Sequence, residues 1–181
     1  MPLWVTIPDA EAFDERTNQF LQIKGRRIQV EHSLKSIALW ESKWHKPYIS
    51  KDKKTKEEVL DYVRCMTLTK DVDPILYYYI PETELNNIAN YIEDPMTATT
   101  FGEDKLTGPR NKIITSEILY YDMIALQIPW ECEKWHLNRL ITLIRVCSEK
   151  NKPDKKMSKS DIMRRNRALN AARRKKLNTK G

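Results

Sequence analysis

Thr115-Ser-Glu-Ile-Leu-Tyr-Tyr-Asp-Met-Ile-Ala-Leu-Gln-Ile-Pro-Trp-Glu-Cys-Glu-Lys-Trp-His-Leu-Asn-Arg-Leu-Ile-Thr-Leu-Ile-Arg-Val-Cys-Ser148 decides the fold class. It reads as two helices, about Thr115 to Ile128 and Trp130 to Ser148, parted at Pro129, which cannot donate the hydrogen bond a continuous helix needs. In the first, Ile118, Tyr121, Ala125 and Ile128 share one face while Leu119, Met123 and Leu126 fill another. In the second, Leu137, Leu140, Ile141, Ile144 and Cys147 are backed by Leu143 and Val146. Helices apolar on more than one face belong at the centre of a fold. The expected core is therefore helical, with Trp135, Leu140, Ile141 and Ile144 in it.

Further helices extend from this centre toward the N-terminus. Ser33 suits an N-cap for a helix to about His45, with Leu34, Ile37, Trp40 and Trp44 on one stripe and Pro47 beyond its end. After the lysine-rich Lys51 to Lys56 loop, Val59, Tyr62, Val63 and Met66 recur at helical spacing. A third helix follows Pro81 from near Thr83, carries Leu85, Ile88, Ala89 and Ile92, and stops at Pro95. Gly102 to Lys112 is the most loop-like stretch. Phe20 to Val30 reads as a β-hairpin about a Gly25-Arg26 type II′ turn, opposing Ile23 to Ile28 and Leu21 to Val30. Two strands alone are marginal, so this patch must dock on the helices or gain Trp4 to Ile7 as a third strand. The fold class is mainly α with a small N-terminal hairpin, one body over residues 1–150 and a basic arm over 151–181.

The arm stands apart in charge. Residues 151–181 hold twelve Lys/Arg against Asp154 and Asp161, a net of +10, whereas 1–150 sum to −3. Ser158-Lys-Ser-Asp161 resembles a capping box before a helix-prone stretch to about Leu177, too poor in apolar residues to bury itself. The bland reading is a solvated charge run that maintains solubility; the functional readings are an acidic protein partner or phosphates. Aromatic residues do not interleave with the cations, which disfavours base stacking. The residues singled out for partner binding are Lys155, Lys156, Arg164, Arg165, Arg167, Arg173, Arg174, Lys175 and Lys176.

No nucleotide loop, nucleophile elbow or dinucleotide fingerprint occurs in the sequence, so an enzyme is not expected. Cys132 and His136 stand four apart on the expected last helix, and Glu133 with His136 has a di-iron-like spacing. His32 and His45 supply no second ligand pair, so neither metal nor cofactor is expected. Three cysteines without paired spacing suit reduced thiols in a cytosolic compartment. The acidic start of the chain does not read as a secretory signal, and no apolar run is long enough for a membrane span.

Glu31-His-Ser-Leu-Lys-Ser-Ile-Ala-Leu-Trp-Glu-Ser-Lys-Trp-His-Lys-Pro-Tyr48, Asp61-Tyr-Val-Arg-Cys-Met-Thr67, Asp94-Pro-Met-Thr-Ala-Thr-Thr-Phe101, Trp130 to Cys147 and Arg164 to Lys176 together resemble the tail assembly chaperones of siphophages. The resemblance covers most of residues 31–181. It implies a mainly helical, non-virion protein of the host cytoplasm that coats the tape measure protein and hands it to the tail tube protein. Relatives of this class are often made in a short and a frameshifted long form. Such a chaperone would cover the partner's apolar faces with surface from Trp40, Trp44, Met66 or Met123. Self-association is left open. The competing readings are a nucleic-acid-associated head-completion or packaging protein, and a minor structural tail component.

Overall fold

A computed structural model describes residues 1–14, 18–50, 52–101, 113–152 and 158–178. The chain divides into two compact units, Met1–Glu149 and Lys150–Gly181. The first is mainly helical with a small antiparallel β element at its N-terminus. Strands β1 (Leu3–Ile7) and β2 (Ala10–Asp14) run against β3 (Gln19–Ile23) and β4 (Arg26–Val30). β1 pairs with β4 from Leu3↔Val30 to Ile7↔Arg26, and β2 pairs with β3 from Ala10↔Ile23 to Asp14↔Gln19. The second ladder continues the register of the first, so the element is one long ribbon interrupted where Pro8-Asp9 faces Lys24-Gly25.

The hairpin expected over Phe20 to Val30 is thus corrected. β3 pairs with β2 and not with β4. Ile28 opposes Val5 and Ile23 opposes Ala10. Trp4 to Ile7 does supply a strand, as the partner of β4 and not as a third member. The reason lies in the side chains: Val5, Ile7, Ile28 and Val30 all face the core at 2 % exposure or less, a longer apolar ladder than any the shorter hairpin would form. Gly25 has a negative φ, unlike a type II′ corner. It is glycine because the backbones converge there: a Cβ would lie 2.3 Å from the Pro8 carbonyl carbon. Its N–H donates to Asp9 Oδ1 at 2.6 Å, which bridges the gap left by Pro8. Gly25→Ala should lower stability by about 1–3 kcal/mol, measured as a shift in denaturant midpoint; an unchanged midpoint would contradict the close approach.

Helix α1 (Leu34–Trp44) starts as the sequence indicates, with Ser33 and Ser36 forming a capping box and His45 closing it in the left-handed region at φ 52°. Helix α2 (Lys56–Met66) has its own box from Thr55 and Glu58. A 3-10 helix over Pro74–Tyr79 leads to α3 (Glu82–Glu93), and α4 covers Ser116–Ala125. The free edge of β4 is covered by the chain leaving α2: Glu31 N–H donates to Met66 O at 2.9 Å and Leu68 N–H to Gln29 O at 2.8 Å. Buried Glu41 on α1 accepts from Tyr48 N–H, Ser116 N–H and Ser116 Oγ at 2.7, 2.7 and 2.6 Å. A carboxylate from one helix thereby caps the start of another, which its own Thr115 leaves without a side-chain cap.

The expected helix over Trp130 to Ser148 is broken. Trp130–Lys134 forms a 3-10 helix, Trp135 and His136 are extended, and α5 runs from Leu137 to Lys150. His136 bridges to Ser33, and Leu137 N–H donates to His32 O at 2.7 Å, so the backbone leaves the helix to make tertiary bonds. Leu140 and Ile144 are core residues as expected, while Trp135 and Ile141 are only partly buried. α4 likewise buries one face, through Leu119 and Met123, and exposes Tyr121 and Ala125. The Gly102 to Lys112 loop lies outside the described residues.

In the second unit α6 spans Lys159–Leu177. Ser158 Oγ accepts from Asp161 N–H at 3.1 Å, and Asn178 ends the helix at φ 50°. Among the described residues no helix is long and apolar enough to cross a membrane.

Candidate partner-binding surface

α6 holds seven of the nine residues that the sequence singles out: Arg164, Arg165, Arg167, Arg173, Arg174, Lys175 and Lys176. Lys155 and Lys156 lie outside the described residues. No residue of α6 is buried. At 100° per residue, Arg164, Arg165 and Arg167 point to different sides, and so do Arg173 to Lys176. The structure therefore brings the cations together in two bands around the helix, roughly 14 Å apart, and not as a stripe on one face. Arg174, Lys175 and Lys176 also occupy the last turn, where the helix dipole favours positive charge.

The apolar contact residues expected from the sequence are corrected. Trp40 and Met66 are 1 % exposed and Met123 is fully buried, so none of them can meet a partner. Trp44 is partly buried and spends its indole N–H on Asp61 Oδ2 at 2.8 Å. Among the exposed apolar side chains, three lie on α4 and the 3-10 helix after it: Tyr121, Ile124 and Trp130 are 68, 66 and 53 % exposed. Trp130 is held in place by stacking on Tyr120 at 5.1 Å, and the Tyr120 hydroxyl donates to Glu133 Oε2 at 2.9 Å. The signal was present in the sequence as apolar residues on more than one face of α4, which reads equally as double burial or as one face left bare.

The chemistry-bearing residues of the body are used internally. His32 Nδ1 lies 2.5 Å from the Tyr62 hydroxyl, and its ring meets that of His136 edge-on at 5.1 Å. His136 Nε2 is 3.0 Å from Tyr91 O, an acceptor, so Nε2 carries the proton and the buried Nδ1 is an acceptor without a partner. Tyr91 in turn donates to Glu31 Oε1 at 2.6 Å. Burial, with the His136 charge second, brings the His32 pKa down to about 3; burial lowers that of His136 as well. Two neutral rings can pack edge to edge in an apolar interior, whereas two cations cannot.

Cys132 belongs to the 3-10 helix and His136 to the extended segment after it, so the one-helix spacing of a metal pair does not exist. Burial pushes the Cys132 thiol up, away from the thiolate that a ligand or nucleophile needs. Among the described residues no three His, Cys, Asp or Glu side chains gather as a metal site. A cavity of about 320 Å³ borders His32, Tyr48, Ile92 and Leu137, but its walls are mostly apolar. No family model, curated protein or solved structure matches the chain.

Proposed function

We propose that the chain is a phage tail assembly chaperone of the siphophage kind, a protein without catalytic chemistry that works in the host cytoplasm. It holds the tape measure protein and delivers it to the tail tube protein. The observation that carries this reading is α6, a capped helix of 19 residues with eight cations, one acid and no buried side chain. Such a helix gains its cover from another molecule. The exposed apolar side chains Tyr121, Ile124 and Trp130 supply apolar contact of the type that a tape measure protein needs before the tube encloses it. The resemblance of residues 31–181 to the chaperone class names the partner.

The test is capture from phage-infected cells with the tagged full chain. It should bring down tape measure and tube proteins, and Arg164→Ala/Arg165→Ala/Arg167→Ala should reduce that yield, most at low salt where the lost attraction is least screened. Recovery chiefly with nucleic acid, or in finished particles, would replace this reading with the packaging or structural-component one.

A further inference from the structure

The body is nearly neutral as a whole but not evenly so. From Asp71 to Asp104 there is no Lys or Arg, while eight carboxylates occur in these 34 residues. The helix within this run, α3, turns Ile88 and Tyr91 inward and leaves Glu82, Asn86, Ala89 and Glu93 along one exposed stripe. Its last turn combines Glu93 with the capping Asp94 and contains no basic residue. Neutral donors, His136 Nε2–H to Tyr91 O and Asn138 Nδ2 to Ile92 O and Asp94 O, satisfy carbonyls of this helix end, and the added negative side chains favour a cation beside it. The two salt bridges among the described residues, Lys43–Asp61 and Lys46–Glu58, leave the α3 carboxylates without one.

α6 has the complementary properties. Its two cationic bands are roughly 14 Å apart along the axis, and Glu82 and Glu93 are roughly 16 Å apart along α3. Leu169 lies between the two bands, and Ile162 and Leu177 flank them, all three exposed. We infer that the α6 arm of one chain docks along the acidic face of α3 in a second copy. Each chain carries both surfaces, so the contact closes as a reciprocal pair or continues from chain to chain. The attraction is mainly coulombic, and its strength follows ionic strength.

The experiment uses nuclease-treated full-length protein alone, so it neither needs nor tests a phage partner. Sedimentation velocity over a concentration series in about 0.1 M salt, where the Debye length is about 10 Å, should show masses above the 21.5 kDa monomer. In about 1 M salt the apparent dissociation constant should rise on the order of tenfold or more. Glu82→Lys/Glu93→Lys and Arg173→Glu/Arg174→Glu should each be monomeric with unchanged helical circular dichroism. Mixed together they should associate, because the intact arm of the first meets the intact α3 of the second. A wild-type monomer at low salt, including one whose arm is protected by its own body, would overturn the inference. So would association that persists in the α3 variant, or a mixture that stays monomeric.

Discussion

Trp40→Ala should cost about 3–5 kcal/mol of stability, read as a fall in denaturant midpoint at unchanged slope. The indole is 1 % exposed, stacks on Trp44 at 6.1 Å, meets the Tyr48 ring edge-on at 5.2 Å and donates its N–H to Glu58 O at 2.9 Å. Truncation empties a site bounded by α1, α2 and the loop after α1, and removes the indole N–H that bonds Glu58 O. Trp130→Ala is the matched control: the same change at a half-exposed ring, stacked only on Tyr120, should cost about 1 kcal/mol. If the two variants melted together, the distinction between core and contact tryptophans would be wrong.

Acid should unfold the body through its histidine pair. His32 is held neutral, with a pKa brought down from the ordinary 6.5 to about 3, so the unfolded chain binds the proton first. Stability is therefore complete above about pH 6.5, declines as pH falls through that value, and stops declining near pH 3, after a loss on the order of 5 kcal/mol. His136, also shifted down by burial, acts in the same direction. Tyr48 and Tyr62, both pushed up by burial, face His32 and offer no negative charge; Glu31 and Asp94 favour a charged His136, and burial outweighs them. Denaturation at pH 7.5 and pH 4.5 should show a large difference for the wild type and a much smaller one for His32→Gln. Equal pH dependence in the two proteins would place the acid lability elsewhere.

What the sequence shows well is what adjacent residues decide. Ser33 and Thr55 cap α1 and α2 through bonds to residues three positions on, and Pro81 and Pro95 bracket α3, so these ends could be read without a structure. The misread places are those where a distant segment wins. Gly25 looks like a turn glycine until Pro8 is known to press on it, and Trp130 to Ser148 looks like one helix until Ser33 and His32 claim the backbone of His136 and Leu137. The cation-rich arm was visible as composition, and its apolar counterpart was not. Periodicity cannot tell a helix buried on two faces from α4, which buries Leu119 and Met123 and presents Tyr121 and Ile124 to solvent. The carboxylates of α3 were hidden for another reason, because a near-neutral sum over 150 residues averages them away.

The backbone bridge between His136 and Ser33, together with the Glu41 cap on Ser116, has a temporal meaning. The N-terminal ribbon emerges from the ribosome early, yet two of the partners that fix α1, Ser116 and His136, lie 75 or more residues further along the chain. Contacts of such separation form late because the intervening loop must close first. The Trp40 side of α1 closes early against α2, whereas its bonds to Ser116 and His136 wait until α4 and the start of α5 have been made. Ser116 and His136 both belong to the first unit, so these two late bonds are made within it.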